Sequence, residues 1–141
     1  KLDCLLFDDE NILVTNADIF WKQENKIDIL QLINSFNSNE ECKLLLVKKN
    51  KAHGLINTFG DFSINENYVK RWRTGDEILF YSGAQMINLN ILNNFNLKKF
   101  SFNQVWDYQI NKNLLYAHIM ESDLYHVGDK NGLIEAIKSS T

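Results

Sequence analysis

A short apolar run, Ile12-Leu13-Val14-Thr15, ends in the polar and acidic segment Asn16-Ala17-Asp18, and a helical-period segment and a second apolar run follow it. Ile27, Leu30, Leu32, Ile33 and Phe36 fall at helical spacing, and Cys42 to Val47 is apolar and short. A brief continuous apolar run suits a strand buried on both faces. Strand, helix and strand in a unit of about 35 residues suit a right-handed parallel crossover. This pattern directs the chain to a mixed α/β sheet.

The position of Asp18 is the informative part of that unit. An apolar run with an acidic tip delivers a carboxylate to the C-terminal end of a strand, where ligands of open α/β sheets sit. A lone Asp there can hold magnesium, because this hard cation takes oxygen ligands and often uses one or two protein carboxylates beside substrate phosphates. An Asp at a strand end also caps a following helix or starts a turn. Residue spacing leaves both readings open.

The chain of 141 residues suffices for one domain, spanning 1–141, and its 45% hydrophobic content supports a real core. A formal charge of −3 carries no electrostatic footprint for nucleic acid or an anionic membrane. No apolar run approaches the roughly 18 residues of a transmembrane span, and no signal peptide is visible, so a cytoplasmic location is the default expectation. Cys4 and Cys42 have neither metal-ligand spacing nor a disulfide framework, and their apolar surroundings predict buried free thiols.

Further along, Gly60 to Ile64 and Tyr68 to Trp72 alternate around Asn65-Glu66-Asn67, which predicts a β-hairpin with a three-residue turn. Lys48 to Gly60 reads as polar and irregular. Ile78 to Ile87 predicts a long buried strand, Leu89 to Phe95 a helical turn or two, and Phe102 to Ile110 an amphipathic helix capped by Ser101. Strands are expected over Leu114 to Met120 and Leu124 to Val127, then a final helix capped near Asp129 or Asn131.

Several residues then present themselves for chemistry. Asp61 opens the hairpin after Gly60; it suits hydrogen bonds from sugar hydroxyls, and equally an exposed turn position. Gly83 after Ser82 marks either a close backbone approach to a ligand or a bulge. Arg71 and Arg73 suit a phosphate or a solvated edge. His126 stands at a strand tip as Asp18 does, so the two share a site if the strands end together; a packed histidine is the alternative. His118, inside a predicted strand, reads as structural. No Walker A loop, dinucleotide fingerprint or Gly-x-Ser-x-Gly elbow is present, and six glycines leave little for a phosphate cradle.

The order of five pieces resembles a known family: Ile12 to Trp21, Gly60-Asp61-Phe62, Phe80-Tyr81-Ser82-Gly83, Phe100 to Asp107, and Tyr125-His126-Val127-Gly128. Together they look like the sugar-1-phosphate nucleotidyltransferases, and are most similar to the bacterial N-acetylmuramate-1-phosphate uridylyltransferases of cell-wall recycling. The resemblance implies a Rossmann-like nucleotide-diphospho-sugar transferase sheet of α/β class, N-terminally truncated and carrying an inserted β-hairpin. It implies a nucleoside triphosphate and a sugar 1-phosphate as partners, UTP and N-acetylmuramate 1-phosphate in particular, with Mg²⁺ as cofactor. Asp18 would be the main metal ligand and catalytic carboxylate, and Asn16 would shape the nucleotide side. Gly60, Asp61, Ser82 and Gly83 would line the sugar pocket.

The chain departs from the family in three motif positions. His126 replaces a second metal-binding Asp found in many members, Ala17 replaces a Gly, and Asp129 replaces a Thr. Members also begin with a Gly-rich triphosphate loop well upstream of the Asn-x-Asp motif, whereas 15 residues precede Asn16 here. The expectation is therefore a C-terminal portion, inactive alone, that works with an upstream or separate N-terminal half. The competing expectations are an inactive remnant and a non-enzymatic sugar-nucleotide-binding or assembly module.

Overall fold

The structure is a computed structural model; it describes the backbone of residues 3–6, and residues 10–95 and 99–140 with their side chains. The elements follow as strands β1 (Asp3–Leu6), β2 (Asn11–Thr15) and β3 (Ile19–Phe20), helix α1 (Asn25–Asn34), then β4 (Cys42–Lys48) and β5 (Ala52–His53). After these come β6 (Phe62–Asn65), β7 (Tyr68–Arg71), β8 (Leu79–Asn88), helix α2 (Phe102–Asn111), β9 (Tyr116–Ile119), β10 (Leu124–His126) and helix α3 (Lys130–Lys138).

The larger sheet runs β1-β2-β8-β4-β9, with the β6–β7 hairpin attached to β8. Strand β8 is antiparallel to both β2 and β4, and β4 is parallel to β9. The expected crossover therefore exists between parallel strands, but β2 and β4 are not neighbours because β8 lies between them. Strands β3, β10 and β5 form a separate small sheet in that order. Neither β3 nor β5 is legible in the sequence: each has two residues, too short to show a period.

Residues of β4 alternate between two buried faces, as a strand covered on both sides must. Leu45 and Val47 join Leu13, Phe80, Met86 and Leu32 of α1, whereas Cys42, Leu44 and Leu46 join Phe62, Leu79, Leu115 and Trp106 of α2. The sheet is thus the middle of three layers. Ser101 caps α2 by accepting from the Asn103 N–H, and Asp129 caps α3 by accepting from the Gly132 N–H, both as the cap preferences predict. Cys42 is fully buried, and its thiol pKa is pushed up by desolvation and then by Glu41. The side chain of Cys4 lies outside the described residues.

Two expectations are corrected here. The hairpin register pairs Asn65 with Tyr68, so Glu66 and Asn67 alone make the turn, with Glu66 at φ +55°. The turn has two residues, not three, because a positive φ lets the chain reverse within them. On α1, hydrophobic spacing points to the wrong face: Ile27 and Leu30 are exposed, while Asn25, Asp28 and Leu32 are buried. The buried polar pair has specific partners in the β9–β10 connection, described below. Ile33 and Phe36 pack against the core as expected, and Ile29, outside the expected set, packs there too.

Two outcomes test this core. Leu45→Ala removes a fully buried side chain from the middle of β4 and should cost about 2–5 kcal/mol in urea unfolding. Cys42 should resist alkylation in the folded protein and react once denatured, as read by peptide mapping of the Cys42-containing fragment.

Candidate active site

Strand β2 stops at Thr15, paired with Ala84, whereas β8 extends on to Leu79 beside β4. The backbone of β8 beyond β2 needs other partners. The Asn16 N–H donates to the Gly83 carbonyl (2.7 Å), and the Tyr81 N–H donates to Asp61 Oδ2 (2.9 Å). Asp61 thus occupies, with its carboxylate, part of the edge that β2 has vacated.

At the same level β8 is irregular. Register with β4 passes from Gln85 opposite Leu44 to Tyr81 opposite Leu46, so Ser82-Gly83-Ala84 face Leu45 alone. Gly83 has φ +91°, and an added Cβ would stand 2.8 Å from Ile19 Cγ1 and 3.1 Å from Asn16 Cβ. The bulge therefore needs glycine for its φ, and it brings the β8 backbone against the two residues that flank Ala17-Asp18. The Ser82 hydroxyl is fully buried and accepts from the Ala84 N–H (3.3 Å), so its polar group is spent inside the bulge.

Asp18 follows directly and precedes β3. Strand β3 pairs antiparallel with β10, His126 opposite Ile19, and the Val127 N–H donates to the Asp18 carbonyl (2.8 Å). This pairing sets the side chains together: His126 Nε2 lies 3.2 Å from Asp18 Oδ2. The other carboxylate oxygen, Asp18 Oδ1, is shielded from solvent and has no hydrogen-bond partner among the described residues. Tyr81 belongs to the same neighbourhood. Its phenol lies beside the Gln85 amide, and its pKa is raised by burial, then by Cys42 and by the charge of Asp18, with Gln85 opposing the rise.

Asn16, Asp18, Gly83 and His126 therefore converge, although 108 positions separate Asp18 from His126. Asp61 stands next to them through Tyr81. Gly60 is set apart, under the indole of Trp72, where a Cβ would approach Trp72 Cδ1 to 2.8 Å. Arg71 pairs with Asp107 (2.8 Å) and Asn103 Oδ1 (2.9 Å) and lies over the rings of Phe62 and Trp106, which occupies it structurally. His118 bonds Gln31 Oε1 (3.1 Å), as a structural histidine would. A cavity of about 580 Å³ lined by His53, Gly54, Ile56, Asp129 and Lys138 lies on the β5 side of β10 and includes none of the converging residues. Tyr81 is the residue near the centre that sequence reasoning passed over: a tyrosine in an apolar strand gives no sign that it will stand within reach of the Asp18 charge.

The donor set suits a hard cation through its oxygen. A carboxylate oxygen without a donor is a group that Mg²⁺ would satisfy, with phosphates and water completing the octahedron. The imidazole nitrogen of His126 is a softer ligand, and here it is engaged with Asp18. No cluster of three or more His, Cys, Asp or Glu able to hold a metal occurs among the described residues.

No protein-family model matches this chain, and no curated protein matches its sequence. Solved structures do match its fold. A protein assigned as a glucose-1-phosphate thymidylyltransferase from Bacillus anthracis, solved with sucrose, superposes with TM-score 0.66 at 12% identity, over 93% of this chain and 55% of that one. HddC from Yersinia pseudotuberculosis, solved with GMP-PN, superposes with TM-score 0.66 at 14% identity, over 95% and 57%. A second structure of HddC gives 0.62 at the same identity and coverage. Among the described residues no helix is long and apolar enough to cross a membrane.

Gly83→Ala tests the bulge. The new Cβ meets Ile19 and Asn16 at a positive φ, and the variant should lose about 1–3 kcal/mol and weaken the Val127 to Asp18 hydrogen bond, as read by amide exchange. The chain has the mixed α/β fold of nucleotide-sugar transferases, and it spans just over half the length of the solved chains it matches.

Proposed function

We propose that this chain is the metal- and sugar-binding portion of a sugar-1-phosphate nucleotidyltransferase, with UTP and N-acetylmuramate 1-phosphate as substrates. A single observation carries the reading: Asp18, at the carboxyl end of β2, keeps one carboxylate oxygen without a partner among the described residues while His126 from β10 holds the other. The order of motifs along the chain supports the substrate class, and the sugar acid and uridine follow the family resemblance. The Gly-rich triphosphate loop would come from a further segment, joined or separate.

In the reaction an oxygen of the sugar 1-phosphate attacks the α-phosphorus of the triphosphate. A new P–O bond forms, the bond between the α-phosphorus and its bridging oxygen breaks, and pyrophosphate leaves with the electron pair. The attacking phosphate is already anionic, so no strong base is required, and the protein contributes mainly positioning and electrostatics. Asp18 would hold Mg²⁺ through Oδ1, with His126 orienting the carboxylate and standing as the second candidate ligand. When bound, Mg²⁺ neutralises charge developing on the transferred phosphoryl group. Asn16 would limit the nucleotide side. The carboxylate of Asp61 and the backbone at Gly83 would face the sugar.

A second reading, a non-enzymatic sugar-nucleotide-binding or assembly module, draws on the exposed Leu133, Ile134 and Ile137 of α3. Pyrophosphate release separates the two. With the chain joined to a Gly-rich segment, UTP and sugar 1-phosphate should yield pyrophosphate in a Mg²⁺-dependent manner. Asp18→Asn should lower turnover at least ~100-fold with the circular dichroism spectrum unchanged. No release from the joined protein sinks the enzymatic reading, and near-normal turnover in the variant removes Asp18 from the metal.

A further inference from the structure

Helix α1 buries the wrong residues by hydrophobicity: Asn25 is 1% exposed and Asp28 2%, while Ile27 is 64% exposed. Burying an amide and a carboxylate is costly unless each is hydrogen-bonded. Their hydrogen-bond partners lie in two short segments, one just after Asp18 and one just before His126, and Asp28 Oδ1 also stands 4.0 Å from His118 Nε2 of β9. Asn25 Oδ1 accepts from the Lys22 N–H (2.7 Å), and its Nδ2 donates to the Asp123 carbonyl (2.9 Å) and to Ser122 Oγ (2.6 Å). Asp28 Oδ1 accepts from the Glu121 N–H (2.8 Å), and Oδ2 accepts from the Ser122 N–H (3.2 Å) and the Ser122 hydroxyl.

We propose that Asn25 and Asp28 are positioning residues for the Asp18–His126 centre. The inference rests on reading that centre as the active site. Strand β3 has two residues and β10 has three; β10 also pairs with the two residues of β5, and such short ladders hold an alignment only weakly by themselves. At one end of this ladder the Val127 N–H reaches the Asp18 carbonyl. At the other end Asn25 bridges both limbs, taking a hydrogen bond from Lys22 and giving one to Asp123. Asp28 fixes the turn at Glu121 and Ser122 to the same helix. Because α1 is packed on the sheet through Leu32, the pair refers the position of His126 to the rigid core. A histidine that approaches its carboxylate across 108 positions needs such a reference, since a shift of about 1 Å at a reacting centre is functionally expensive.

The test uses the 141-residue chain itself. Asn25→Ala should raise the exchange rate of the Val127 amide roughly tenfold or more, while amides in the β4–β8 ladder keep their protection. The His126 ring signals, at one fixed pH, should move part-way toward those of Asp18→Ala, in which the acceptor of the His126 contact is removed. If Asn25→Ala does not fold, Ser122→Ala removes the hydroxyl shared by Asn25 and Asp28 and is read in the same way. Unchanged Val127 exchange and His126 signals overturn the inference, as does a uniform loss of protection over both amide sets. These readouts need no turnover, so the inference can fail while the enzymatic reading stands. Equally, loss of the enzymatic reading leaves this measurement intact.

Discussion

Strand β8 is the constraint on which the rest of the structure depends. It supplies hydrogen bonds to β2 along one edge and β4 along the other, and it carries the hairpin at Leu79. Its side chains feed both core layers, Phe80 and Met86 toward α1, Leu79 toward α2. A strand used on two edges and two faces has little freedom to slip, because a one-residue shift would turn every buried side chain to the opposite layer. The irregularity it does contain is confined to Ser82-Gly83-Ala84, where β2 ends. Irregular backbone next to a ladder terminus re-aims the chain, and here it closes on Asn16 and Ile19, the residues flanking Ala17-Asp18.

The centre is thus assembled from parts with different origins. The carboxylate comes from the end of a core strand and is held by the sheet. The imidazole comes from a strand of three residues, paired with β3 and β5 and anchored in the core by Leu124, and the segment before it is tied to α1 by buried polar contacts. Such contacts are directional, whereas hydrophobic burial is not. A helix that gives up two buried apolar positions to Asn25 and Asp28, and leaves Ile27 and Leu30 exposed, trades non-directional packing for defined geometry. The exposed pair also explains why periodicity misjudged the helix face: the pattern records hydrophobicity, and the fold here required hydrogen bonds.

Asp61 shows the same economy of means. A strand end without a neighbour leaves backbone donors unpaired, and a carboxylate from the adjoining loop satisfies one of them at Tyr81. That contact keeps the loop before the hairpin close to the bulge, so the sequence pieces Gly60-Asp61-Phe62 and Phe80 to Gly83 meet although nothing in their spacing announces it. Gly60 takes part by packing under Trp72 rather than by facing the centre. The fold matched in solved structures covers nearly all of this chain and just over half of those chains, so the shared architecture is that of the sheet and its two helical layers.

The amino-acid sequence by itself determined the elements whose signal is local. The buried runs of β2, β4 and β8 are apolar over enough residues to declare themselves, Ser101 and Asp129 mark helix starts through cap chemistry, and Asp18 stands visibly at a strand end. Only the tertiary structure decided the placement of β8 between β2 and β4, the strands β3 and β5, the buried polar face of α1, and the meeting of Asp18 with His126. Those features depend on pairings between distant segments and on hydrogen bonds of single side chains. Neither leaves a period in the sequence, because each becomes favourable only once the core has brought the partners together.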